Sequence, residues 1–138
     1  MARQLAVLAS EMALSYFYRG VSADIKRDGT PVTSADLDIE QTLLQELTRF
    51  RPGDAVLGEE LGERGFSPRG WLLDPIDGTS NFVCGNPQWG THIALEVERR
   101  IVLGVRLIGE WSMNTNPEDF IDETVDSREK GTGRTRQH

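Results

Sequence analysis

Hydrophobic positions near the start of the chain recur at helical spacing. Leu5, Leu8, Ala9, Met12 and Tyr16 fall on one face of a helix, and Gly20 supplies its stop. A polar, glycine-containing stretch over residues 21–31 reads as a loop. Thr33-Ser34-Ala35-Asp36 then has the residue types of a helix N-terminus, where a hydroxyl and an acid three positions on cap each other's backbone. Ile39, Leu43, Leu47 and Phe50 mark the apolar face of that second helix, and Pro52-Gly53 end it. Beyond this point the pattern changes to short apolar runs at residues 55–57, 71–73, 92–97 and 101–105, which predict strands. Glu98-Arg99-Arg100 leaves room only for a tight hairpin connection between the last two, although it lacks an Asn-Gly pair. Two helices followed by strands without regular alternation predict an α+β fold, with the helices packed on one face of a mainly antiparallel sheet.

The segment over residues 107–138 differs in kind, with few apolar residues after Trp111, and is read as a tail to a domain over residues 1–106. Residues 117–126 are acidic with only Phe120, Ile121 and Val125 to bury, and 118–125 are expected to form at most one short helix. Residues 127–138 are basic and have almost nothing to pack, so the tail is expected to be largely disordered. The length of 138 residues suits one domain, and 38% hydrophobic with 27% charged residues is a globular composition. A net charge of -7 argues against a nucleic-acid partner, since phosphate backbones select basic surfaces. No apolar stretch reaches membrane-spanning length and no leader segment is recognisable, so a cytoplasmic protein without membrane association is expected. The single Cys84 forms no internal disulfide and reads as an ordinary free thiol.

The chemistry concentrates at Asp74-Pro75-Ile76-Asp77-Gly78-Thr79. Two carboxylates stand three residues apart after the apolar run Trp71-Leu72-Leu73, so Asp74 is expected to leave a strand end. Pro75 fixes its own φ and keeps a helix from starting at once, holding both acids in one bend. Hard oxygen ligands gathered this way suit Mg2+, which binds through a few carboxylates and leaves positions open to water and phosphate. Asp77, Gly78 and Thr79, with free backbone N–H groups, close glycine approach and a hydroxyl, are the candidates for receiving the phosphate. The bland alternative is an Asx-type turn in which Asp77 and Thr79 satisfy their own backbone.

The whole run Trp71-Leu72-Leu73-Asp74-Pro75-Ile76-Asp77-Gly78-Thr79-Ser80-Asn81-Phe82 resembles the signature of the inositol monophosphatase family of magnesium-dependent phosphomonoesterases. Upstream, Lys26-Arg27-Asp28-Gly29-Thr30-Pro31-Val32-Thr33-Ser34-Ala35-Asp36 is similar to the segment ahead of the family's second helix, and Gly58-Glu59-Glu60 to its Gly-Glu-Glu element. Gly85-Asn86-Pro87-Gln88-Trp89-Gly90-Thr91 and the two later apolar runs continue the similarity to Arg106. The resemblance implies that Asp74 and Asp77 share one magnesium, that Asp74 and Glu59 hold another, and that the Ile76 carbonyl adds a ligand. It also implies that Glu59, and Thr79 oriented by Asp36, accept the proton of the attacking water. The substrate it implies is a small phosphorylated alcohol such as inositol monophosphate. Asp28-Gly29-Thr30-Pro31-Val32-Thr33 and the segment around Trp89 also resemble the branch that hydrolyses histidinol phosphate.

Other residues carry structural expectations. Glu60 reads as a solvated turn charge, Lys26 as an exposed loop lysine, His92 as a strand histidine without a metal role, and Trp71 and Trp89 as core. The family completes its site with an aspartate in a later Trp-Asp motif, whereas here Trp111 precedes Ser112 and no Trp-Asp follows. A reading of another class therefore stands beside the enzyme: a truncated, catalytically impaired fragment, or a module that uses its sheet to associate, for example as a homodimer.

Overall fold

The computed structural model describes residues 1–109 and 121–125. Helix α1 (Ala2–Arg19) buries Ala2, Leu5, Ala6, Ala9, Ser10 and Ala13, and Gly20 ends it at φ 76°. The buried stripe is thus rotated from the one anticipated. Small alanines take the close contact, while Met12 and Tyr16 pack only partly buried against the core. Helix α2 (Ser34–Phe50) starts with the anticipated capping box between Thr33 and Asp36 and buries Ala35, Ile39, Leu43 and Leu47. Phe50, expected on that face, lies 52% exposed on the helix's last residue, under the Arg49 guanidinium at 5.0 Å.

The stretch read as a loop contains a small antiparallel hairpin, β1 (Ala23–Ile25) with β2 (Pro31–Thr33). Three-residue strands are too short to show an alternation. The signal lies instead in the turn, where Asp28 accepts the Thr30 N–H at 3.0 Å and its hydroxyl at 2.6 Å.

The main sheet has six strands, β3 (Ala55–Gly58), β4 (Gly62–Arg64), β5 (Arg69–Asp77), β6 (Gly90–Val97), β7 (Arg100–Ile108) and β8 (Ile121–Val125), in the order β4-β3-β5-β6-β7-β8. Every pairing is antiparallel except β3 with β5, so the fold is α+β with a mainly antiparallel sheet. Within the segment expected to be helical, residues 121–125 are strand. Ile121 pairs with Leu107 and Val125 with Leu103, which extends the sheet by one edge. Of the tail over residues 107–138 that was expected to be largely disordered, the described part is ordered: residues 107–108 continue β7, with Leu107 buried in the core, and 121–125 form β8, while 110–120 and 126–138 lie outside the described residues.

The core joins Trp71, Leu73, Ile93, Leu95, Val105 and Leu107 of the sheet to Leu5, Ala9, Ile39 and Leu43 of the helices. A short helix α3 (Thr79–Val83) follows β5. Phe82 anchors it in an aromatic cluster, 5.1 Å from Trp89 and 5.5 Å from Phe17 between ring centroids. Among the described residues no helix is long and apolar enough to cross a membrane.

Candidate active site

Strand β5 does not stop at Leu73, as the sequence suggests, but runs through Asp77. Pro75 is accommodated by an irregularity: Asp74 pairs with His92 and Asp77 with Gly90, so β5 carries one residue more than β6 between these pairs. In a regular strand, side chains three positions apart point to opposite faces. The bulge cancels that alternation, and Asp74 and Asp77 line the same cleft. The Thr91 hydroxyl donates to the Pro75 carbonyl at 2.8 Å and ties the bulge to β6.

That cleft has a volume of about 180 Å³ and is lined by Glu59, Glu60, Asp74, Ile76, Asp77, Thr79 and Lys26, among others. Glu59 arrives from the end of β3, with its amide donating to Leu73 O at 3.1 Å. Gly78 turns the chain from β5 into α3 at φ 90°, and a Cβ there would meet Gln88 O at 3.0 Å. The Thr79 hydroxyl is placed to donate to Ile76 O at 3.1 Å or to Asp36 Oδ1 at 3.2 Å. Asp36 is itself buried, and its Oδ2 accepts both the N–H and the hydroxyl of Thr33 at 2.7 Å. Asp36 therefore caps α2 through Oδ2 and meets the Thr79 hydroxyl through Oδ1.

Charge crowds this cleft. Burial, followed by the neighbouring charges of Asp77, Glu59, Asp36 and Glu60, pushes the Asp74 carboxyl up to about 7. The lining is rich in carboxylates, the chemistry of a hard divalent cation, and such a cation would relieve the repulsion. Among the described residues, no three His, Cys, Asp or Glu side chains already close on one point. The carboxylates ring the cleft rather than forming a finished centre.

Two residues expected to be solvated are not. Lys26 Nζ pairs with Glu60 Oε1 at 3.1 Å, and the Glu60 side chain is only 6% exposed. Burial alone would lower the Lys26 pKa, but the hydrogen bond and charge of Glu60 raise it. These residues are 34 positions apart, which is why local composition gave no sign of the pair. His92 lies 3.8 Å from Asp77 Oδ2, beside the cleft, where the sequence reading gave it no role. Glu40 was missed entirely. It is buried on α2, and burial, outweighing hydrogen bonds from Leu61 and Glu60, raises its pKa. The available signal was an acid one turn after Asp36, next to Ile39 and one turn before Leu43 on the apolar face.

Known proteins share the sequence and the fold of this chain. The sequence profile described as the inositol monophosphatase family matches residues 1–106. The chain belongs to the inositol monophosphatase family. A Streptomyces griseus protein named glucose-1-phosphate thymidylyltransferase is 48% identical over 103 residues, covering 73% of this chain and 40% of that protein. The histidinol-phosphatase of Chlorobaculum parvum is 43% identical over 107 residues, covering 76% of this chain and 41% of its own length. Among solved structures, the extragenic suppressor protein SuhB of Bartonella henselae superposes with a TM-score of 0.75 at 29% identity, over 94% of this chain and 48% of SuhB. This family member thus spans about 40% of the length of the curated relatives named here.

Proposed function

We propose that this chain carries most of the catalytic cleft of a magnesium-dependent phosphomonoesterase acting on a small phosphorylated alcohol. The observation that carries this reading is the β5 bulge, which brings Asp74 and Asp77 to one cleft with Glu59 and Thr79. In this reading Glu59, Asp74, Asp77 and the Ile76 carbonyl hold Mg2+. When bound, the cation neutralises phosphoryl oxygens and lowers the pKa of the attacking water. Asp77, Gly78 and Thr79 receive the phosphate, since the first N–H groups of α3 have no partner four residues back within the helix. The Thr79 hydroxyl passes its proton toward Asp36 Oδ1 and thereby accepts one from the attacking water, with Glu59 as the other proton acceptor. Asp36 is kept in position for this by the two Thr33 donors on its other oxygen.

The substrate is inositol monophosphate or histidinol phosphate. The second is favoured by the 43% identity to a relative named histidinol-phosphatase. Phosphate release from both esters, with and without magnesium, tests the reading. The expected result is magnesium-dependent phosphate release. Release that is indifferent to magnesium would contradict it.

A further inference from the structure

Three consecutive amides fix the turn that presents Glu59. The Glu59 N–H donates to Leu73 O at 3.1 Å, the Glu60 N–H to Glu40 Oε2 at 2.9 Å, and the Leu61 N–H to Glu40 Oε1 at 2.7 Å. Two of the three end on one side chain, a carboxylate 1% exposed on α2. A buried carboxylate is costly to keep in place, and an apolar residue there would leave both amides unsatisfied. The approach is close: a Cβ on Gly58 would overlap the Glu40 carboxylate, so β3 ends on the one residue type that lets the turn come up against it. Glu59 sits between Gly58, packed against Glu40, and the two amides that Glu40 holds, so its backbone is tethered on both sides.

We propose that Glu40 is a positioning residue that holds the 59–61 turn so that Glu59 faces the cleft as a ligand to the divalent cation. This rests on the metal-binding reading given above. Such supporting partners typically contribute about 10- to 100-fold to metal affinity without touching the ion.

Calorimetric titration of Mn2+ or Mg2+ into the wild-type chain, Glu40→Gln, Glu59→Gln and the double variant tests the inference, below the melting temperature of each. Glu40→Gln is expected to weaken binding about 10-fold. In the Glu59→Gln background the same change should add little, because it acts through Glu59. Unchanged affinity in Glu40→Gln, or an equal loss in both backgrounds, would overturn the inference, since a merely structural role has no reason to depend on residue 59. Glu40→Asp, which keeps the charge but withdraws the oxygens, is the second variant if Gln does not support folding, and it should weaken binding likewise. If the wild-type chain binds no metal, the reading of the site falls and this inference with it; if it binds and Glu40→Gln is unaffected, only the inference falls.

Discussion

Thr79 Oγ1 stands 3.2 Å from Asp36 Oδ1, joining the start of α3 to the first turn of α2 across 43 residues of sequence. The same aspartate closes the capping box of α2 through its other oxygen. The cap of α2 and the Thr79 contact therefore share one side chain, and their contributions can be compared by changing either end of the contact.

Asp36→Ala should cost about 1 to 2 kcal/mol of stability in urea denaturation, through loss of the cap and of the acceptor for the buried Thr33 N–H. Thr79→Val should cost less than about 1 kcal/mol, because it removes one half-buried hydroxyl. Both are expected to lower any residual phosphate release about 100-fold. A Thr79→Val variant with undiminished release would remove Thr79 from the proton path.

What the sequence made legible was local. The capping box at Thr33 and Asp36 and the helix stop at Gly20 follow from residue types a few positions apart, while the tight connection at Glu98-Arg99-Arg100 followed only from the spacing of the two apolar runs, and Arg100 pairs with Val97 as the first residue of β7. The cleft's acids were legible as a run, but the reason they face one way was not. That depends on a bulge, a property of β5 and β6 together, and the sequence suggested instead that the strand stops at Leu73. Lys26 with Glu60, and Glu40 with the 60–61 amides, are contacts between distant segments, so each residue alone looked ordinary. The β1–β2 hairpin and β8 escaped for another reason. Their strands are three and five residues long, too short for periodicity to outvote a polar composition.

Asp74 gives the metal-free protein a pH-dependent stability with a definite sign. Its carboxyl is raised in the folded chain from 3.8 to about 7, first by burial and then by Asp77, Glu59, Asp36 and Glu60. Between these values the folded state binds more protons than the unfolded one, so stability should fall as pH rises through that window. Glu40, also raised, pushes the same way. Melting temperatures from pH 4 to 8 in chelator check this. Asp74→Asn should flatten the profile and melt higher than the wild type at the alkaline end, and a wild-type profile that rises toward neutrality would contradict the assignment.

The β6–β7 connection is strained and improvable. Glu98 and Arg99 adopt φ of 49° and 65°, the left-handed pair that a two-residue hairpin turn requires and that non-glycine residues resist. Replacing them with Asn and Gly should raise stability by about 1 kcal/mol without touching the cleft. Chemical denaturation reads this directly, and a loss of stability would mean that their side chains hold the hairpin in a way the backbone does not reveal.

The central claim is that Glu59, Asp74 and Asp77 serve one divalent-cation site, and calorimetric titration of magnesium or manganese into the wild-type chain and into Asp74→Asn tests it most directly. Asn nearly preserves the shape while removing the charge that would face the cation, so affinity is expected to drop at least about tenfold, while the folded variant keeps or gains thermal stability. Equal metal affinity in the two proteins would contradict the account.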